Sequence, residues 1–175
     1  AYIFGITATP NDAYRYAKGD GIMHPMGYEM KLREPLDFYS VTDHGFFMGM
    51  LNAWSDTSTD ISQKDFAKPF HDLNRVENLT AESAGPRSAL FSQILGGTVT
   101  QTYSDLSPNV LKAWLTKNTQ TALKSFDYEI HKSAWEDVAR AANEHNDPGH
   151  FTTFIGYEFT TSTNVEGGNL HRNVI

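Results

Sequence analysis

Cysteine is absent from the 175 residues. Disulfides and thiolate metal sites are therefore excluded, and any metal ion must be held by histidine and carboxylate. Positive charge is scarce: 14 Lys and Arg stand against 21 Asp and Glu, for a net charge of −7. That balance argues against a binder of the nucleic-acid backbone, which would present a basic face. It leaves room for a small anionic substrate held by one or two local cations. No run approaches the ~18 apolar residues of a membrane span. A Gly-rich phosphate loop, a nucleophile elbow and a His-Glu-x-x-His motif are also missing, as are internal repeats and low-complexity tracts. What is present suffices for one domain, or a large part of one, because 39% apolar and 13% aromatic residues supply a core.

The local patterns predict an α/β chain. Thr9 is placed to cap a short helix with Pro10 in its first turn, and Gly19 closes it. Residues 20–35 read as a polar connection, and Leu36–Thr42 as a strand of aromatic and β-branched residues. Phe46–Trp54 reads as a helix and Asp56–Lys68 as a surface loop. Further helices are expected over Pro69–Thr80, Pro86–Leu95, Pro108–Lys124 and His131–His145. In the last of these, Ala134, Trp135, Val138, Ala141 and Ala142 recur at helical spacing. Trp114 and Trp135 are expected in the core. Asn146-Asp-Pro-Gly is strong turn chemistry. Phe151–Thr160 reads as a second strand, Ser162–Gly168 as a loop, and Leu170–Ile175 as the onset of a third strand. Strands alternating with helices suggest α/β architecture, with the helical stretch over residues 56–125 as an insertion between strands.

The chemistry gathers at strand ends. Leu36–Gly45 runs into a Thr-Asp-His-Gly turn, which sets Asp43 and His44 where α/β folds usually place reactive groups. Gly45 would let the backbone pass close to an ion or ligand. Glu158 ends an apolar run, where a carboxylate is costly to bury without a partner, and binding a cation would offset that cost. His171 follows the flexible Gly167-Gly-Asn approach, and Arg172 beside it is suited to gripping an anionic group with two hydrogen bonds. Asp43, His44, Glu158 and His171 thus suggest a metal site. His24, His71, His131, His145 and His150 lie in loop, turn or helix-start contexts and are expected to be ordinary residues.

Five blocks carry a resemblance: Tyr2-Ile-Phe-Gly, Thr9–Gly19, Pro35–His44, Asn146–Glu158 and Gly168–Ile175. Together they look like the PHP (polymerase and histidinol phosphatase) superfamily, and within it a group of large bacterial proteins of unknown function. The likeness runs nearly end to end and is loosest over residues 55–130. It implies part of a distorted β/α barrel with its metal cluster at the strand C-termini, and a metal-dependent hydrolase, commonly of phosphoesters. It makes His44, Glu158 and His171 the metal ligands, with Glu158 a bridging carboxylate, and gives Asp43 a role in orienting a ligand. The implied cofactors are two or more divalent ions of Zn, Mn or Fe that activate water, with Arg172 steadying the anionic group. The superfamily's first His-x-His pair and its later His and Asp ligands have no counterpart here. The chain accordingly reads as an internal piece of a longer protein, whose other segments complete the site. A signal peptide upstream would make that protein periplasmic.

Two other readings stand beside a phosphoester hydrolase. A sulfate ester needs similar electrostatics. A non-catalytic module would keep the fold and use the ion for structure or ligand binding, and a plain α/β binding domain would bind none.

Overall fold

The computed structural model describes residues 2–94, 124–161 and 170–175. Helices and strands mix along the chain, so the fold is α/β, with three two-stranded pairings among the described residues. The strands are β1 (Ile22–Met23), β2 (Glu29–Met30), β3 (Phe38–Val41), β4 (Thr152–Ile155), β5 (Tyr157–Thr161) and β6 (Leu170–Val174). The helices are α1 (Pro10–Ala17), α2 (Met50–Ser55), α3 (Ala84–Ile94) and α4 (Tyr128–His145). None of the described helices is long and apolar enough to cross a membrane.

Helix α1 begins as the sequence predicts. Thr9 Oγ1 accepts from the Asp12 N–H at 3.2 Å, and Asp12 Oδ2 accepts from the Thr9 N–H at 2.9 Å, a reciprocal capping box. Those Thr9 bonds hold the Asp12 carboxyl below the usual carboxylate range. Helix α4 starts three residues before the predicted His131, because Asp127 accepts from the N–H groups of Glu129 and Ile130 and caps it. Its Val138, Ala141 and Ala142 are buried, one stripe at helical spacing.

Strands β3 and β4 pair in parallel, Phe38 opposite Thr152 through Val41 opposite Ile155. One face of this pair is covered. Tyr14 and Ala17 of α1 and Ala141 and Ala142 of α4 pack with Val41 and Phe151 into one core cluster. Fully buried Tyr14 ties the layers together: its hydroxyl donates to the Phe154 carbonyl at 3.1 Å and accepts from the Val41 N–H at 3.4 Å. Burial pushes its pKa up. Phe38 and Phe154 lie on the other face, 65% and 41% exposed.

A second core lies beside the first. Ile3, Met50, Ala53, Trp54, Ile61, Ala67 and Phe70 cluster around Trp54. Residues 56–94, most of the described part of the expected insertion, contain no strand and include 3-10 turns and α3.

Several local readings need correction. The polar connection holds the β1–β2 hairpin, whose two-residue strands are too short to leave a periodic pattern. Residues 46–49 form turns, with Phe47 at φ +54°, so that helix is shortened to Met50–Ser55. The expected helix over Pro69–Thr80 is broken into short 3-10 turns at Lys68–Phe70 and Val76–Asn78. Asp72 at φ +53° interrupts it, and the Asn78 amide donates to the Asp72 carbonyl, a local bond that competes with the helix. The predicted helix over 108–124 and the loop over 162–168 lie almost wholly or wholly outside the described residues, and Trp114 lies outside them.

The predicted strand over Phe151–Thr160 is two strands that meet at Gly156. Before it the chain pairs with β3, and after it with β6, in antiparallel register. A Cβ at Gly156 would stand 2.6 Å from Ser40 Oγ, 2.8 Å from Ile175 Cγ2 and 2.9 Å from the Val174 carbonyl. Only glycine lets the chain change partners in that space. Gly156→Ala is expected to cost about 1–3 kcal/mol through overpacking. A urea unfolding midpoint equal to wild type would contradict this packing.

At the other end of α4, His145 stacks on Tyr14 with ring centroids 5.5 Å apart and lies 3.1 Å from Asn11 Oδ1. Burial first, then the Lys18 charge, lowers its pKa from 6.5. The unfolded chain therefore takes this proton at a higher pH than the folded one. The contribution to stability is full above about pH 6.5 and is lost as pH falls toward the folded value. Comparing thermal unfolding of wild type and His145→Gln between pH 7.5 and 5 tests this. The wild type should lose more of its midpoint on acidification; parallel curves would remove the assignment.

Candidate metal centre

The parallel pairing extends past Val41. His44 forms an isolated bridge opposite Glu158 in the same register, with the Glu158 N–H bonded to the Asp43 carbonyl at 2.8 Å and the Gly45 N–H to the Glu158 carbonyl at 2.9 Å. Side chains of a strand alternate between faces, so His44 and Glu158 share the face of Phe38 and Phe154, away from α1 and α4. On the antiparallel side, Thr160 stands opposite His171. Alternation along β5 puts Thr160 on the same face as Glu158. Three segments far apart in sequence thereby aim His44, Glu158, Thr160 and His171 at one place.

The polar atoms meet there. His44 Nδ1 contacts Glu158 Oε2, and His171 Nδ1 lies 2.9 Å from Glu158 Oε1, so each carboxylate oxygen faces one imidazole. One ligand atom from each of the three residues falls within 4.8 Å of the others. The Glu158 side chain is 20% exposed, and those of His44 and His171 are 44% and 41% exposed, so the group opens to solvent. These three residues can hold one metal ion. The donor set fits such a group. Two neutral imidazoles and one carboxylate suit Zn, Fe or Mn, and a cation would satisfy lone pairs that otherwise face one another.

The sequence reading named these three residues and did not single out Thr160. Its Oγ1 lies 2.9 Å from His44 Nδ1, 3.3 Å from His171 Nδ1 and 3.3 Å from Glu158 Oε2. The available clue was its spacing, two residues after Glu158 in a strand.

Asp43 and Arg172 are placed differently from expectation. Asp43 contributes its backbone carbonyl to the strand pairing, and its exposed carboxylate makes no hydrogen bond to those three residues. Arg172 stands opposite Phe159. It is therefore on the other face of the β5–β6 hairpin, and it forms no ion pair among the described residues. An arginine directly after a ligand in an extended strand must point away from it. Gly45 lies against the Tyr157 ring, where a Cβ would stand 3.0 Å from Cδ2.

The five other histidines lie elsewhere. His24 stacks on Tyr28, His71 and His131 meet the carbonyls of Ser62 and Met48, His145 meets Asn11, and His150 faces Asp147.

One aromatic side chain borders the cluster. The Phe46 ring lies 5.1 Å from the His44 ring and is 36% exposed. Comparison with curated proteins and with solved structures gives no match. A family model does match, over residues 1–175, and the chain belongs to that family, described as protein of unknown function DUF3604.

Proposed function

We propose that this chain carries part of the active site of a metal-dependent hydrolase, of the PHP type, that acts on small anionic esters, phosphoesters first. The supporting observation is the convergence of His44, Glu158 and His171, from three strand segments, on one solvent-open point. A divalent ion bound there supplies Lewis-acid chemistry, making water nucleophilic near neutral pH and offsetting charge on the ester oxygens. The protein's own groups do the rest. The two imidazoles and the carboxylate bind and orient. The exposure of the rings admits substrate. Phe46, beside His44, offers an apolar surface to the organic part of the ester. Against the chain's net charge of −7, an ion at this site would supply local positive charge for an anionic substrate.

On this reading the strand pairing through Val41 and His44 is a piece of a β/α barrel wall, with the ligands on its inner face. A sulfate ester would meet the same groups and is the alternative substrate.

The test is an assay of the full-length protein on 4-nitrophenyl phosphate and 4-nitrophenyl sulfate, chelator-treated and then supplied with Zn2+, Mn2+ or Fe2+; the 175-residue chain alone is expected to be inactive. Turnover is expected only when an ion is restored. Equal turnover in chelator would end the metal-dependent reading. Ion binding with neither ester hydrolysed would make the domain a non-catalytic module.

A further inference from the structure

Thr160 Oγ1 reaches all three residues of the cluster. It donates to Glu158 Oε2 at 3.3 Å, and it lies 2.9 Å from His44 Nδ1 and 3.3 Å from His171 Nδ1. No other described side chain hydrogen-bonds to all three of these residues. The two rings are 44% and 41% exposed at the side chain, so little packing stops them from turning toward solvent. Thr160 is itself fixed. It sits in β5 opposite His171, and a β-branched side chain in a strand has few rotamers.

We propose that Thr160 is the positioning residue of the ion site, holding both imidazole Nδ1 atoms and the Glu158 carboxylate turned toward one another before an ion arrives. This rests on the metal-binding reading above. A residue that fixes ligands without binding the ion is expected to change affinity by about 10–100-fold when its hydrogen bonds are lost. Loss of the hydroxyl alone should be enough, because the effect comes through hydrogen bonds and not through bulk.

The experiment titrates the protein with Co2+ and follows its visible absorption, which reports ligand geometry. Thr160→Val removes the hydroxyl at nearly constant shape, Thr160→Ser keeps it, and Glu158→Gln serves as the ligand control. The expected result is a ~10–100-fold weaker Co2+ affinity and a shifted band for Thr160→Val, with Thr160→Ser close to wild type in both. If Thr160→Val does not fold, Thr160→Ala takes its place with the same expectation. Wild-type affinity in Thr160→Val, with binding lost in Glu158→Gln, would overturn the role of Thr160 and leave the metal site standing. A serine variant as weak as the valine variant would also overturn it, since the hydroxyl would not be the cause. No Co2+ uptake by wild type would remove the metal site and this proposal with it.

Discussion

Glu158→Gln is expected to remove ion binding and ester hydrolysis together. Both carboxylate oxygens are engaged, Oε2 by His44 and Oε1 by His171 at 2.9 Å. The amide would replace one oxygen by an NH2 group that cannot accept, and it would delete the only negative charge among the three ligands. Affinity should fall by more than the ~10–100-fold typical of groups that merely orient a ligand. His44→Ala should act similarly, whereas Arg172→Ala, on the opposite face of the hairpin, should leave ion content unchanged. Equilibrium dialysis with Zn2+ or Mn2+, read by elemental analysis, checks all three. Retained ion in Glu158→Gln would exclude this carboxylate as a ligand.

The second large effect concerns stability. Arg87 is 4% exposed and has no carboxylate partner among the described residues. Its guanidinium donates to five neutral oxygens: the carbonyls of Ile3, Leu73 and Asn78, the Asn74 side-chain oxygen and the Ser83 hydroxyl. It joins the start of the chain, the 73–78 segment and α3. Hydrogen bonds to a charged group contribute about 1.5–3 kcal/mol each, with overlap between them, so Arg87→Met should cost at least about 3 kcal/mol. That is a large share of the ~5–15 kcal/mol typical of a domain. Arg87→Lys keeps the charge but has three donors in place of five, and should fall between the two. Urea denaturation measures the series. A cost below about 0.5 kcal/mol, typical of an unremarkable surface site, would show that the network carries no stability.

The parts of the fold that were legible in the sequence are those whose physics is local. Thr9-Pro10 with Asp12 forms a cap from neighbouring residues, and Val138, Ala141 and Ala142 repeat at helical spacing whatever surrounds them. The strand ends at His44 and Glu158 showed themselves as apolar runs that stop at a polar residue. Features set by contacts far along the chain did not show. The break at Gly156 depends on Ser40, Val174 and Ile175, and the interruption of the helix over 69–80 on a left-handed Asp72. The site divides the same way. Residue types and strand ends pointed to His44, Glu158 and His171, but register decides which neighbours share their face. Thr160 entered the cluster because it lies opposite His171, and Arg172 left it because it lies opposite Phe159. Alternation along β6 alone excluded Arg172, and this much the sequence held.

The central claim is that His44, Glu158 and His171 together bind one ion. X-ray absorption at the metal edge of the Zn2+-loaded protein tests it most directly. The account predicts two imidazole nitrogens in the first shell at about 2.0–2.1 Å with an oxygen at a similar distance, and one imidazole fewer in His171→Ala. An ion surrounded by oxygen alone, or an unchanged shell in His171→Ala, would contradict it.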